Sequence, residues 1–403
     1  MRTACCVLAA CLPGLGWQAP ASINVRDLGA AGNGRADDTA AIQAALDAYP
    51  GQATTIQFPP GRYKLTAPLR AYRTQHLNGV AGTITASNPS ELFAGPEFAG
   101  NTLIELTGMG GLYTKGSIEN LTFRSSADSG IAAIRAAPDA IVTNSRFSDL
   151  TLWSSEGIIL DTYTQNTFLE HIVACGPVNQ FVLLRGNFNL LRDIDKECDS
   201  GTSPGAFVSI LKHKGLSTGN TLQHILIEGR SSSSKSLIRL DGTKGTTIQN
   251  VWFEVNVTNG YGIEIENSYD VTFTGLLFGI DPSRRIKIRN SAGVWIERLD
   301  FHYFGARRLD EVIDADDWDS VTVAGLRLRD GSRFYNLTGP DTDLFEAGKR
   351  SLERRAAAPP AAGTWRVGDV VWNSVPTPGG YAGWICVTAG TPGVWKEFGP
   401  IAP

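Results

Sequence analysis

Asn120-Leu-Thr-Phe123, Asp149-Leu-Thr-Leu152, His171-Ile-Val-Ala174, Asp193-Ile-Asp-Lys196 and His224-Ile-Leu-Ile227 are variants of one phrase. The phrase continues as Asn250-Val-Trp-Phe253, Gly275-Leu-Leu-Phe278, Arg298-Leu-Asp-Phe301 and Gly325-Leu-Arg-Leu328. Each begins with a polar or small residue, followed by an apolar residue, any residue and, in every copy but the Lys196 one, a second apolar residue. Aligned on the first apolar position, from Leu121 to Leu326, the spacings are 29, 22, 22, 31, 26, 25, 23 and 27. Periods of this size mark stacked structural repeats. Alternation of period two within the phrase marks a short strand with one buried face. One such strand per repeat, with turn residues between, reads as a coil of a parallel β-helix.

The alignment sorts side chains by direction. If Leu121, Leu150, Ile172, Ile194, Ile225, Val251, Leu276, Leu299 and Leu326 point inward, an extended strand sends their neighbours outward. Three places after the anchor, Glu197, Glu228 and Glu254 then form a column in successive coils. One place before it stand His171, Asp193 and His224, and one place after it Asp195 and Trp252. Strands lie ~4.8 Å apart, so carboxylates one coil apart are neighbours and those two coils apart are ~9–10 Å apart. Carboxyl pairs about 5 Å apart suit retaining glycoside hydrolysis, and wider pairs suit inversion. The candidate catalytic residues are therefore Glu254 as general acid, Glu228 as base or nucleophile, and Glu197, with Asp193 and His224 tuning them. Trp252, His171, Arg230, Asp195 and Trp153 are the candidate substrate contacts, Trp252 offering an aromatic platform for a sugar ring. The competing reading is that outward residues are charged because they face water.

Other segments flank these coils. Residues 1–21 read as an export leader: Arg2, an apolar stretch from Ala4 to Trp17, then Ala19-Pro-Ala21. Leu8-Ala-Ala-Cys11 resembles a bacterial lipobox, so a lipid anchor at Cys11 is the alternative to an ordinary signal. The expected location is extracellular or periplasmic. Residues 22–340 form the solenoid. Its entrance has a strand at Asn24, a tight turn at Asn33-Gly34 and a helix from about Thr39 to Ala48. Asp38 is the expected N-cap, and Ile42, Ala45 and Leu46 form the inner face. This helix would cover the open end of the solenoid. Residues 341–363, charged and then rich in Ala and Pro, read as a linker. Residues 364–403 read as a small aromatic β-module, in which Trp365, Trp372, Tyr381, Trp384 and Trp395 either build a core or stack on sugars. Cys175 and Cys198 fall on neighbouring coils, as a disulfide or as packed thiols.

The run NVRDLGAAGNGRADDTAAIQAAL (24–46), followed by IQFPPGRYKL (56–65), resembles the opening of the pectate-lyase-like superfamily of right-handed parallel β-helices. The resemblance is close over residues 24–65, and the coils extend it to about residue 330. It implies an all-β, right-handed parallel β-helix with an N-terminal capping helix. It leaves the reaction open, because that superfamily contains lyases, glycoside hydrolases, epimerases and tailspike depolymerases. The C-terminal segment resembles a short module appended to tailspikes and secreted carbohydrate-active proteins.

The function expected is extracellular polysaccharide cleavage by paired carboxylates. One alternative is a polysaccharide lyase, for which the resemblance implies a Lys, Arg, His or Tyr base; His224, Arg230 and Lys212 are the nearest candidates. A second alternative is a non-catalytic, tailspike-like adhesion protein, which a homotrimer would favour. A formal net charge of -4 presents no basic face to nucleic acid. No apolar run reaches the length of a spanning helix, so no integral membrane segment is expected. No cofactor is expected: Asp314 to Asp319 would hold Ca²⁺ at most, and a solvated turn is the favoured reading of that cluster.

Overall fold

The computed structural model describes residues 22–403 except 82–87, 127–128, 176–178, 199–205, 229–234, 255–259, 279–285, 302–312, 316–320, 329–353 and 364. Two long parallel sheets, of 16 and 12 strands, make up the solenoid. Each full coil contributes to both sheets, in the first coils as two short strands where later ones have a single longer strand, and every named pairing within the two sheets is parallel. Apolar residues stack coil upon coil. In the second sheet Ile134, Ile158, Val182, Val208, Ile238, Ile263, Ile286 and Ile313 follow one another in register. In the first sheet the anchors from Leu121 to Leu276 are all buried. The all-β parallel solenoid read from the repeat is thus the architecture found.

The repeated phrase is not one straight strand. Asn120, Asp149, His171, Asp193, His224, Asn250, Gly275 and Arg298, each just before its anchor, have φ between +51° and +73°. This left-handed backbone turns the chain through a corner between two short flat faces. Asn, Asp, His and Gly tolerate it best, since a β-branched side chain clashes with its own carbonyl. Asn250→Val is expected to cost about 1–2 kcal/mol in urea unfolding, whereas Asn250→Gly stays within about 1 kcal/mol of wild type.

A second left-handed column runs through Asn144, Asn166, Phe188, Gly219, Gly245, Asp270 and Gly293. The residues that follow it are all buried: Ser145, Thr167, Asn189, Asn220 and Thr246 are polar, and Val271 and Val294 at the carboxy-terminal end are apolar. Asn189 and Asn220 form a ladder inside the wall. Asn220 Oδ1 accepts from the backbone N–H and the Nδ2 of Asn189, both at 3.0 Å, and its own Nδ2 donates to the Gly186 carbonyl at 2.9 Å.

The entrance helix spans Thr39–Asp47 and buries Ile42, Ala45 and Leu46, the face expected. Its capping differs from expectation. The Asp38 carboxylate instead accepts the N–H groups of Ala31 (2.6 Å) and Gly32 (3.1 Å) in the preceding turn. Asp37 takes the capping role, accepting the Thr39 N–H at 3.0 Å and the Thr39 hydroxyl at 2.6 Å. Burial raises the Asp37 pKa, but these bonds and one from Thr66 outweigh it and leave the carboxyl below its ordinary value.

Charges of alternating sign line the outside of the second sheet. Lys287 Nζ bonds Glu264 at 2.7 Å and Glu266 at 2.8 Å, and Arg239 faces Asp241 and Glu266. The Lys287 hydrogen bond holds the Glu266 carboxyl below its ordinary value, against the opposing effect of burial. A depressed carboxyl stabilises the fold above its unfolded pKa and loses that contribution as pH falls through the folded value. Lys287→Met should therefore cost about 0.5–1 kcal/mol at neutral pH and progressively less as pH falls below the ordinary carboxylate range, measured by urea unfolding across that span.

The C-terminal residues form a four-stranded sheet, Arg354–Ala356, Val370–Asn373, Tyr381–Thr388 and Val394–Pro400, antiparallel except for its first pair. Trp365, Val371, Trp384 and Cys386 are its buried core, and Trp395 packs edge-on against Trp365. Two of the five aromatics considered for sugar stacking are therefore core residues. Tyr381 is exposed, and Trp372 lies edge-on to Phe398. Among the described residues no helix is long and apolar enough to cross a membrane.

Candidate active face

The face after the first corner carries two outward columns. The column one place after the anchor runs Arg62, Glu91, Thr122, Thr151, Val173, Asp195, Leu226 and Trp252. The column three places after it begins Lys64, Phe93, Arg124, Trp153 and ends at Glu228 and Glu254. Glu228 and Glu254 are direct register partners in adjacent coils, as the alignment expects. Both are half-buried, and Trp252, two residues before Glu254 on the same face, is 42% exposed. The face is cationic at its amino-terminal end and anionic at the other.

Glu197 departs from the expected column. The pairing slips by one residue after Ala174–Lys196, so Cys198, not Glu197, lies opposite Cys175. A β-bulge leaves one residue unpaired and re-aims its neighbours. Here the bulge brings the two cysteine positions into register, and Cys175 is disulfide-bonded. The side chain of Glu197 lies outside the described residues. Lys196, the polar exception in the inward column, is buried and its ammonium donates to the Glu228 carbonyl at 3.3 Å. This bond ties the end of one coil to the next just where Glu228 leaves the face.

The structure does not bring His171, Asp193 and His224 to the glutamates. They occupy the left-handed corner, four residues before the glutamate position, roughly 13 Å away at about 3.3 Å per residue. There they form a ladder with Asp149, which the sequence reading did not single out. His171 Nδ1 lies 3.7 Å from Asp149 and its Nε2 3.2 Å from Asp193, while His224 Nδ1 lies 3.1 Å from the other oxygen of Asp193. Around the corner, Glu170 is outward by register yet buried, because Arg146 and Arg192 cover its carboxylate from the coils on either side.

The remaining candidates scatter. Trp153 underlies the guanidinium of Arg124, 4.9 Å from its ring centroid. Asp195 sits on the face between Val173 and Leu226. Lys212 follows the strand Val208–Leu211 of the other sheet, so it does not share the corner of His224. Arg230 and most of the acidic stretch 314–319 lie outside the described residues. Asp314 itself is taken up by Arg289 at 2.6 Å and by the Tyr261 hydroxyl at 3.0 Å. Among the described residues no group of three His, Cys, Asp or Glu is arranged to hold a metal.

A parallel β-helix with one flat, charge-divided face is the class of protein these features define. Residues 22–174 match the family model described as rhamnogalacturonase A/epimerase, pectate lyase-like. Over these residues the chain is similar to the pectate-lyase-like family, in agreement with its opening residues. No curated protein matches the chain. Among solved structures it is similar to the DFA-IIIase of Arthrobacter chlorophenolicus A6 in complex with DFA-III, with 14% identity and a TM-score of 0.50 over 82% of this chain and 99% of that one. It is also similar to the mannuronan C-5 epimerase AlgE4 A-module of Azotobacter vinelandii, with 15% identity and a TM-score of 0.42 over 80% and 99% of the chains. A third is the catalytic unit of the GH87 alpha-1,3-glucanase of Streptomyces thermodiastaticus strain HF3-3, with 13% identity and a TM-score of 0.45 over 82% and 67%.

Proposed function

We propose that this protein is a secreted glycan-cleaving enzyme, a glycoside hydrolase whose two carboxylates are Glu228 and Glu254. The observation that carries the reading is their register: they are direct partners on adjacent parallel strands, beside an exposed tryptophan. Strands about 4.8 Å apart present carboxyl groups near the ~5–5.5 Å separation of retaining glycosidases. In that scheme Glu254 protonates the glycosidic oxygen as the bond to the anomeric carbon breaks. Glu228 attacks that carbon and forms a glycosyl ester. Water, deprotonated by Glu254, then hydrolyses the ester and restores both groups. Trp252 offers its ring face to the sugar. The family match to a rhamnogalacturonase/epimerase model supports a carbohydrate substrate, and a disulfide at Cys175 supports maturation in an oxidising compartment.

The corner ladder favours a second reading. An imidazole oriented by a carboxylate, as His224 is by Asp193 at 3.1 Å, is the usual form of a general base. Such a base would abstract the proton next to a uronate carboxyl and drive β-elimination. A panel of neutral, uronate-containing and bacterial capsular polysaccharides separates the two readings. New reducing ends without the ultraviolet absorbance of an unsaturated uronate are the expected result. Absorbance growing in step with chain cleavage makes the protein a lyase, and binding without cleavage makes it an adhesion protein.

A further inference from the structure

We propose that the amino-terminal end of the same face is a binding site for an anionic group of the glycan, held by the guanidinium groups of Arg62 and Arg124. The inference rests on the reading of this face as a glycan-binding surface. It begins with Glu91, which points outward by register between Arg62 and Thr122 yet has a side chain only 7% exposed. Its two oxygens are taken by two different arginines: Oε1 by Arg62 Nε at 2.9 Å and Oε2 by Arg124 Nε at 3.2 Å. Each guanidinium also lies over an aromatic ring, Arg62 over Phe93 and Arg124 over Trp153, with its central carbon 4.9 Å from the ring centroid in both cases.

This is more cation than the carboxylate needs. A single arginine satisfies a carboxylate through both arms of its fork. Here each arginine spends only its inner Nε–H on Glu91. Among the described contacts, the terminal nitrogens of Arg62 and Arg124 make no further hydrogen bond. The side chains are 58% and 42% exposed. Two guanidinium groups are thus locked by stacking and by one buried anion, with their forks open to solvent and one net positive charge left over. A fork held in place loses little entropy when it binds a planar or tetrahedral anion. Lys64, the next cation on the face, is neutralised by Glu97 at 2.7 Å, which leaves the arginine pair as the free positive charge at this end.

The position completes the argument. Arg124 and Glu228 share one outward column and lie four coils apart, roughly 19 Å at about 4.8 Å per strand. Between them the face carries the uncharged Thr151, Trp153 and Val173, and then Asp195 next to Leu226. An extended chain lying along the axis meets the carboxylates at one end and the arginines at the other. The ligand class is a glycan with a carboxylate, sulfate or phosphate substituent remote from the bond that is cleaved.

The test is titration calorimetry with three hexasaccharides: a uronate oligomer, its carboxyl-reduced neutral counterpart, and that neutral oligomer carrying sulfate esters. Wild type should bind at least one charged oligomer about tenfold or more tightly than the neutral one, and the preference should weaken between low and high salt. The uronate and sulfate arms tell which anion is read. Arg124→Gln should lose about 10- to 100-fold of that preference, and Arg124→Lys, which keeps the charge but not the fork or the stack, should recover only part of it. Arg239→Gln, on the other sheet, should change nothing. Equal binding of charged and neutral oligomers, no binding of either charged oligomer, or an unchanged preference in a folded Arg62→Gln/Arg124→Gln protein would overturn the proposal. Glu254→Gln in the same titrations keeps this result separate from the catalytic reading, since losing cleavage there leaves the arginine-dependent binding intact.

Discussion

Replacing Glu254 with Gln is expected to lower kcat about 10³-fold on the polysaccharide that the panel identifies. Removing a general acid from a positioned carboxyl pair typically costs 10²–10⁴-fold. Stability should hardly change. Glu254 is half-buried and makes no side-chain hydrogen bond or ion pair among the described contacts, and such surface substitutions usually stay within about 0.5 kcal/mol. The combination is the diagnostic: turnover collapses while the thermal midpoint stays put. Glu228→Gln should show a loss of the same order, because the two groups act as a unit and their effects do not add. A Glu254→Gln protein with wild-type turnover ends the hydrolase reading. If His224→Ala were then the inactive variant, the Asp193-held imidazole would become the base and the reaction an elimination.

Asn220→Ala is expected to destabilise the fold by about 3–6 kcal/mol in urea unfolding, the largest stability effect anticipated outside the apolar core. Asn220 is wholly buried and serves three partners: the backbone N–H of Asn189, the side-chain amide of Asn189 and the Gly186 carbonyl. Alanine removes all three bonds and brings nothing in their place. Each buried polar group left unsatisfied costs about 1–3 kcal/mol. The low dielectric of the wall makes such ladders worth keeping only when every member is paired. A loss below about 1 kcal/mol would mean that water enters the wall and replaces the asparagine, and that the ladder is not what sets the coil spacing there.

Part of this was legible beforehand. The repeat from Leu121 to Leu326 placed the nine coils it spans, because parallel strands stack residues of equal phase and a buried column is apolar with rare exceptions such as Lys196. The pairing of Glu228 with Glu254 follows from the same phase, without any knowledge of the third dimension. The corner was less visible. The position before each anchor holds Asn, Asp, His, Asp, His, Asn, Gly and Arg, mostly residues that accept left-handed backbone. That composition is the signal of a bend, and an alternation rule alone reads it as one more outward position. The bend is where His171, Asp193 and His224 meet one another, four residues short of the glutamate position.

Other features arise only from contacts between distant residues. Glu91 and Glu170 are outward by phase and would be read as solvated, yet arginines from neighbouring coils bury both. The bulge after Lys196 removes Glu197 from its column and sets Cys198 opposite Cys175. Asp38 resembles a helix cap, but the turn at Ala31–Gly32 claims its carboxylate first. Period and phase are local properties of the chain, so the sequence by itself determined the solenoid, its buried columns and the carboxylate pair. A corner depends on one torsion angle, and a pairing slip or a buried ion triad depends on residues more than twenty positions away. Those were decided by the tertiary structure, and they give this face its separated acidic, imidazole and cationic parts.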